Sequence, residues 1–359
     1  MRLMRRGAQR CRPALLLLAA ALSVACAAPR PRGASSGSSA APAPHTTSAG
    51  AAASASDAPD TPPAPGALAA AFSQDSAWKH LEAQLSMGPR GNGLPGHARL
   101  EAYLKEHLVA CGALVSEQRF QYVSPDHRRH PAQMANIVGT FKGTSERWIL
   151  LGTHYDTRLW ADEDPDASRH DQPIEGADDG ASGTAVLLAV AEVLKGRTLP
   201  VGVELVFFDG EDFGRPGSEA DYFVGSTTMV RHWSDVHGAS RPDFVVVLDM
   251  VGDADLAFSR EAKSQGAFPW LNDHIWRAGR ALAPAAFPEH ATLGVTDDHD
   301  AFMEMGIPST LLIDLQYPWW HQAGDTEDKC APASLGITGR VLLTAVLDAP
   351  PPVPPSPPR

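Results

Sequence analysis

The chain has 359 residues, 42 acidic and 30 basic side chains, and a formal net charge of -12 at pH 7. Once its terminal segments are set aside, this length suits one α/β domain. The acidic balance, with its notable basic cluster confined to the extreme N-terminus, argues against nucleic acid as a partner.

Residues 1–26 have the pattern of a secretory signal. Several arginines precede an apolar run over residues 14–25, which is too short to span a membrane permanently. The run ends in Leu-Ser-Val-Ala-Cys, which resembles a bacterial lipoprotein box except that Ser23 replaces an aliphatic residue. We therefore predict export, with two alternatives: a periplasmic or cell-envelope lipoprotein anchored to the membrane through lipidated Cys26, or plain secretion after cleavage near this point.

Low-complexity segments flank the predicted domain. Residues 27–68 are almost entirely Ala, Ser, Pro, Gly and Thr, a composition that cannot bury enough apolar surface to offset chain entropy. We predict a disordered tether there and a proline-rich tail over residues 349–359. The folded domain is predicted to span residues 69–348.

Helical periodicity and short β-branched runs alternate along this domain. Leu100, Leu104 and Leu108 form one face of a helix that Gly112 ends. Strands are predicted at residues 136–141, 148–152, 201–208, 244–248 and 309–313. Further helices are predicted at residues 182–195, 270–282, 299–305 and 334–347. The order predicts an α/β fold, a single domain whose mixed, mostly parallel central sheet is covered by helices on both faces.

Two cysteines, Cys111 and Cys330, fall in the predicted domain, and no CxxC pair occurs. A disulfide between them would suit an exported protein. Two separate buried thiols fit the sequence as well, so both alternatives stay open.

Five side chains that bind metals well each follow an apolar strand or lie in a glycine-rich loop, where open α/β sheets place their sites. They are His154 in THYDT, Asp179 in GADDGASG, Asp212 in FFDGED, Asp249 in VVLDM and His321 in WWHQAGDT. Any one of them has an ordinary structural explanation as a helix cap or hydrogen-bonding group. Together they form the imidazole and carboxylate set that Zn²⁺ prefers, sufficient for one ion or for two sharing a carboxylate.

These motifs, in this order, resemble the co-catalytic zinc aminopeptidases and, more closely, the glutaminyl-peptide cyclotransferases, over roughly residues 88–347. The resemblance implies a zinc exopeptidase-like fold in which the five matching positions bind zinc. It also implies that Glu211 is the general acid/base and that Asp298 steadies the catalytic site. By the same resemblance Trp320 walls a narrow substrate pocket, and the Asp179–Gly180 peptide bond is the one expected to be cis.

Asp156 lies two residues beyond His154 and would share one side of an extended segment with it. We predict that the Asp156 carboxylate accepts the second imidazole N–H of His154 and raises its basicity. A simple turn aspartate is the alternative.

Several segments favour the cyclotransferase branch over the aminopeptidases. They are Gly-Pro-Arg at residues 88–90, Leu-Pro-Gly at residues 94–96, and a long loop after Glu211. Two departures oppose it: Leu311 stands where cyclotransferases have His, and the loop lacks their tryptophan. A third departure concerns the metal site, because Asp212 stands where relatives usually have Glu and its shorter side chain must be offset by the position of the backbone.

The sequence thus predicts an acyltransferase-type zinc enzyme that takes peptide N-termini as substrate and converts N-terminal Gln to pyroglutamate with release of ammonia. The alternative is a zinc aminopeptidase that hydrolyses the first peptide bond on the same scaffold. A third hypothesis is a non-catalytic surface binding module, against which the presence of Glu211 beside all five ligands argues. The oligomeric state is not predicted.

Overall fold

The computed structural model describes residues 66–125, 131–289 and 292–353, so the predicted signal peptide and nearly all of the predicted tether lie outside the described residues. The helices are α1 (Ala67–Ala71), α2 (Gln74–Leu85), α3 (Pro95–Ala110), α4 (Ala181–Leu194), α5 (Val224–Arg231), α6 (Trp233–His237), α7 (Ala262–Ala267), α8 (Pro269–Leu282), α9 (Asp298–Glu304) and α10 (Pro332–Leu343). The strands are β1 (Leu114–Tyr122), β2 (Ala132–Phe141), β3 (Trp148–His154), β4 (Gly202–Phe208), β5 (Val245–Asp249), β6 (Ser259–Glu261), β7 (Thr292–Leu293) and β8 (Ser309–Ile313).

All eight strands form one sheet in the order β1-β2-β4-β3-β5-β8-β6-β7. The central strands β4, β3, β5 and β8 are parallel, whereas β1 and β2 add antiparallel pairs at one edge and β6 pairs antiparallel with β8 near the other. Parallel neighbours need long crossovers, and helices supply them here. The predicted mixed, mostly parallel sheet is confirmed.

The central strands are apolar on both faces because helices cover both. Helix α4 lies deepest: every residue except Glu192 is buried, and α2 and α10 pack against it. No helix in the described part of the chain is long and apolar enough to cross a bilayer.

The predicted central elements are confirmed within a few residues, including the helix that buries Leu100, Leu104 and Leu108. The edge strands β1, β6 and β7 were not predicted. Strand β1 is half exposed and carries polar residues, and β6 and β7 are very short, so none has the apolar run of a buried strand.

The start of the domain differs from the prediction. Helix α1 begins at Ala67, and the carboxylate of Asp348 accepts the backbone N–H groups of Gly66, Leu68 and Ala69 at 3.0, 3.1 and 2.8 Å. A negative charge at a helix N-terminus is favourable. Residues 66–68, assigned to the tether from composition, therefore belong to the folded domain.

Cys111 and Cys330 are both buried and both free. Of the two alternatives that the sequence left open, the structure shows two separate thiols.

Candidate active site

The five predicted ligands meet at one edge of the sheet. His154 ends β3 and Asp249 ends β5, while Asp212 follows β4. Asp179 stands directly before α4, and His321 follows β8. Parallel strands end at the same sheet edge, so side chains remote in sequence come together there.

One group of ligand atoms surrounds the Nε2 atom of His154, which lies 3.0 Å from Oδ1 of Asp249 and 3.4 Å from Oδ1 of Asp179. The Nδ1–H of the same ring donates to the backbone carbonyl of Asp156 at 3.1 Å, which leaves Nε2 directed at the carboxylates. Burial alone would lower the pKa of His154, but nearby carboxylates, Glu211 foremost, raise it well above its ordinary value. The space between Nε2 of His154 and the carboxylates of Asp179 and Asp249 therefore strongly favours a positive charge.

A second group shares Asp179. The Nε2 atom of His321 lies 3.4 Å from Oδ1 of Asp212 and 3.7 Å from Oδ2 of Asp179. The ligand atoms within each group of three lie within 4.8 Å of one another. One bridging carboxylate between two triads is the arrangement that holds a pair of divalent cations.

The buried oxygens of these triads fit a cation. Oδ2 of Asp179 and Oδ2 of Asp212 are both buried and have no hydrogen-bond partner. Burial and then the charge of Asp212 raise the pKa of Asp179 well above its ordinary value. Buried carboxylates without partners are costly, and a divalent ion relieves that cost. Imidazole and carboxylate donors suit a zinc-type ion.

A cavity of about 580 Å³ opens onto the triads. Glu211 is on its wall, with Oε2 3.6 Å from Nδ1 of His154. Burial and several neighbouring carboxylates raise the pKa of Glu211 well above its ordinary value, although His154 opposes the shift. A carboxyl group with a raised pKa beside a cation site is equipped for proton transfer.

Residues 136–346 match the sequence model of peptidase family M28. The chain belongs to peptidase family M28. A curated relative, the glutaminyl-peptide cyclotransferase-like protein of Mus musculus, is 26% identical over 278 residues, which cover 70% of this chain and 70% of the relative. The resemblance to this branch is confirmed, and the chain is an enzyme of this type.

Solved structures agree with this assignment. The glutaminyl cyclase of Bacteroides thetaiotaomicron bound to N-acetylhistamine has a TM-score of 0.71 and 31% identity, covering 76% of this chain and 97% of that one. A leucine aminopeptidase precursor from the same organism also gives a TM-score of 0.71 and 31% identity, over 76% and 96% of the two chains. The shared fold therefore does not separate the two reactions.

Asp156 supports His154 in this M28 enzyme through two groups. Its carboxylate lies 3.8 Å from Nδ1 of His154 and helps to raise the pKa of the ring, while its backbone carbonyl, and not the predicted carboxylate, accepts the hydrogen bond from Nδ1–H. The carboxylate accepts the backbone N–H groups of Glu211 and Asp212 at 3.1 and 3.2 Å. Asp156 therefore also positions the segment that carries Glu211 and Asp212.

The Asp179–Gly180 peptide bond is trans, as is every peptide bond in the described residues, so the expected cis bond is absent. Gly180 has a φ of 99°, and a Cβ there would lie 2.6 Å from the carbonyl oxygen of Asp156 and 3.4 Å from Cε1 of His154. Only glycine adopts this conformation readily in so little space. Because Gly180 lets the loop pass close to Asp156 and His154, Asp179 reaches the triads just before α4 begins.

Asp325, which sequence reasoning missed, holds the same loop in place. Its carboxylate accepts the backbone N–H groups of Asp178 and Asp179 at 2.9 and 3.2 Å and the hydroxyl of Tyr317 at 2.6 Å. Burial raises the pKa of Asp325 to about 6. Asp325 follows His321 by four residues in HQAGD, a proximity that offered a signal.

Arg158 is a second residue that the sequence analysis missed. Its buried guanidinium donates two bonds to Asp162, at 2.5 and 2.6 Å, and one of 2.6 Å to Oδ1 of Asp212. Burial alone would raise the pKa of Asp212, but His321 and Arg158 hold it below its ordinary value. Asp212 is therefore an oriented carboxylate with one oxygen still unpaired. An arginine two residues after Asp156 in THYDTR was the available signal.

The resemblance assigns Asp298 to steady the catalytic site, and the structure places it directly beside the cavity residue Asp297. Its side chain is fully buried and is not among those lining the cavity, and burial raises its pKa to about 7. Asp297 lines the cavity instead, and its Oδ1 accepts the backbone N–H of Asp298 at the start of α9. Adjacent residues at a helix start point in different directions, so the sequence did not show which carboxylate reaches the cavity.

Trp320 lines the cavity and is 44% exposed. Its ring stacks on the imidazole of His321, with centroids 3.7 Å apart. The aromatic face thus lies beside the second triad, where the sequence placed it. Leu311, the position at which cyclotransferases carry histidine, is fully buried in the core, and Ile313 and Leu315 of the same segment reach the cavity.

Proposed function

We propose that this M28 enzyme is a zinc-dependent glutaminyl-peptide cyclotransferase that converts N-terminal Gln of peptides to pyroglutamate with release of ammonia. The observation that carries the proposal is that one cavity is lined by Glu211, by Trp320 and by the two carboxylates, Asp179 and Asp212, that each have an oxygen without a hydrogen-bond partner. The cyclotransferase names of its relatives support it.

Asp179, Asp212 and His321 would hold the zinc ion beside Trp320, and His154, Asp179 and Asp249 would hold a second. Zinc bound there supplies Lewis-acid polarisation of the γ-carbonyl of the substrate glutamine. Asp156, Asp325 and Arg158 keep the ligands oriented through the hydrogen bonds described above, which limits reorganisation during the reaction.

Glu211 is the group that moves protons. The α-amine nitrogen forms a bond to the γ-carbonyl carbon, and the bond from that carbon to the amide nitrogen breaks. Glu211 takes a proton from the α-amine and delivers it to the departing nitrogen, which leaves as ammonia. Its buried carboxyl with a raised pKa suits both halves of this transfer.

The cavity also suits the substrate. Trp320, Ile313 and Leu315 form an apolar wall for the glutamine methylenes, while the carboxyl groups of Glu211 and Asp297 offer hydrogen-bond acceptors to the α-amino group. Holding the amine and the γ-carbonyl in contact supplies much of the rate of an intramolecular attack.

One observation favours the aminopeptidase alternative. Asp179 belongs to both triads, as in enzymes that use two metal ions for hydrolysis. In that reaction Glu211 would take a proton from the water that attacks the first peptide bond.

Mass spectrometry of a Gln-initiated and a Leu-initiated peptide, each incubated with the zinc-loaded enzyme, separates the alternatives. Loss of ammonia from the Gln peptide with the Leu peptide intact is the expected result. Removal of the first residue from the Leu peptide would assign the enzyme to the aminopeptidases. No change in either peptide would favour a binding module.

We further propose that the enzyme is exported and tethered, because its N-terminal residues have the signal and linker composition described above. If Cys26 carries a lipid, Cys26→Ser releases the enzyme from membrane fractions into the soluble fraction. A soluble wild type would show plain secretion.

A further inference from the structure

A third histidine and carboxylate cluster lies away from the cavity. It consists of His80 on α2, His107 on α3 and Glu192 on α4. Nε2 of His80 lies 3.2 Å from Oε1 of Glu192, and Nε2 of His107 lies 3.9 Å from the same oxygen. One ligand atom from each residue lies within 4.8 Å of the other two, as in the two active-site triads. We call these residues the helix triad.

The helix triad is separate from the active site. Helix α4 begins directly after the active-site loop, and Glu192 lies eleven residues beyond its first residue, Ala181. At 1.5 Å per residue, this places Glu192 about 16 Å along the helix from the active-site end. None of the three residues lines the cavity.

The surroundings of the helix triad orient the ligand atoms of His80 and Glu192, whereas Nε2–H of His107 donates to the backbone carbonyl of Leu188 at 3.2 Å, a bond that metal binding at this nitrogen would replace. Nδ1 of His80 lies 2.7 Å from the hydroxyl of Tyr103, which directs Nε2 towards Glu192. The hydroxyl of Ser76 donates to the second carboxylate oxygen of Glu192. A partner on the outer nitrogen of a histidine is the usual support of a metal ligand, because it sets the ring orientation.

Packing and access also favour a cation. The imidazole rings of His80 and His107 lie only 4.4 Å apart, so their nitrogens can approach one ion together. The side chain of Glu192 is 38% exposed, so the triad opens to solvent. Two imidazoles and a carboxylate are a common set for zinc, which completes its coordination with water.

We propose that His80, His107 and Glu192 bind one divalent zinc-type ion at a site distinct from the active site. The ion would join three helices from separate parts of the chain and attach α2 and α3 to the buried helix α4. Its role would be structural, since it stabilises the state in which the helices are packed.

Metal counting tests the proposal. Wild type, the double variant His80→Ala/His107→Ala and the control His237→Ala are dialysed against buffered Zn²⁺ and analysed for zinc per chain. His237 is the matched control, because its Nε2 lies 3.7 Å from Oε2 of Glu204 but belongs to none of the ligand triads found among the described residues. We expect one ion fewer in the double variant and no loss in the control. Equal zinc in all three proteins would overturn the proposal.

Asp179→Ala separates this site from the active site. It should keep one zinc ion, and that ion should disappear when His80→Ala/His107→Ala is added. A zinc-free Asp179→Ala protein would contradict the helix triad.

If the double variant fails to fold, Glu192→Gln serves instead, because it replaces a partly exposed carboxylate by an amide of equal size. It should weaken zinc binding at this site by at least about tenfold and reduce the rise in Tm that Zn²⁺ gives in Asp179→Ala. Its activity on a Gln-initiated peptide should stay within about twofold of wild type. An unchanged zinc affinity and Tm shift would refute the assignment.

Discussion

The active-site triads and the helix triad use the same side-chain types, but the chain supports them differently. In the active site, ligands stand at strand ends and in loops, where carboxylates accept free backbone N–H groups: Asp156 from residues 211 and 212, and Asp325 from residues 178 and 179. In the helix triad, ligands project from helices whose N–H groups are already paired within the helix. Their support comes from other side chains, such as Tyr103 and Ser76.

This difference predicts different sensitivity to substitution. The loops at the sheet edge hold several buried carboxylates close together, and one oxygen each of Asp179 and Asp212 has no hydrogen-bond partner. The orientation and charge of each ligand therefore depend on its neighbours. The helix triad lies at a partly exposed surface, where water can replace a lost ligand. Loss of one residue should therefore affect the active site far more.

The largest effect is expected for Asp179→Ala, because this carboxylate belongs to both active-site triads. Activity should fall by at least about 1,000-fold, with loss of the zinc bound there. Steady-state kinetics and zinc analysis measure the two effects. Asp171→Ala, an exposed position in the same loop, is the control and should behave as wild type. Retained activity in Asp179→Ala would contradict the proposal that Asp179 bridges two metal ions.

Glu211→Gln should lower kcat by roughly 100-fold or more while fold and zinc content remain, because only proton transfer is removed. Rate measurements on a Gln-initiated peptide, together with circular dichroism and zinc analysis, test this. Near-wild-type turnover would discard Glu211 as the acid/base.

Arg158→Met should lower the free energy of unfolding by roughly 3–5 kcal/mol, because it leaves Asp162 and Asp212 in a buried site without their cation. Arg158→Lys keeps the charge and should recover part of the loss. Urea denaturation measures both variants. Arg169→Met is the control, because this half-exposed arginine makes only long contacts, of 3.8 and 3.9 Å, to Asp164 and Asp166. The control should lower the free energy of unfolding by less than about 1 kcal/mol. Equal losses of unfolding free energy in Arg158→Met and Arg169→Met would show that the burial of the Arg158 ion pairs does not affect stability.

Glu204 shows what happens to a buried carboxylate that has neither a cation site nor backbone donors. Burial raises its pKa from 4.5 to about 7, with His237 the nearest basic group, at 3.7 Å. The folded state thus binds the proton more tightly than the unfolded state, so the stability contribution is complete below pH 4.5 and is lost as pH rises through 7.

Glu204→Gln should therefore gain stability relative to wild type between pH 4.5 and 7, with a limit of about 3 kcal/mol at pH 8. Urea denaturation at pH 4.5, 6 and 8 measures the difference. Exposed Glu146→Gln is the control and should show no such trend. A constant difference across the pH range would contradict the raised pKa.

The smallest effect is expected for Tyr103→Phe, which removes the hydroxyl next to His80 and keeps the ring. Zinc affinity of the helix triad should fall by about tenfold, with activity unchanged. Zinc titration of Asp179→Ala with and without Tyr103→Phe gives the comparison. A larger loss than Glu192→Gln causes would show that orientation matters more than the carboxylate.

The sequence by itself determined the sheet class and the five side chains that form the two triads. Apolar runs over β3, β4 and β5 are local patterns, and His154, Asp212 and Asp249 stand at or shortly after them, while short motifs mark Asp179 and His321, so reading along the chain was sufficient. Two details were decided only by the fold: which of Asp297 and Asp298 lines the cavity, and which group of Asp156 accepts the bond from His154. Both depend on the direction of one side chain at a turn.

Arg158 and the helix triad required the tertiary structure for a different reason. Arg158 acquires its role by reaching Asp212, which lies 54 residues later in the chain. His80 and Glu192 are 112 residues apart and belong to no shared motif. Taken alone, each is an ordinary helix residue, and only the packing of α2 and α3 on α4 makes them neighbours, because side chains on separate helices meet through packing and not through spacing along the chain.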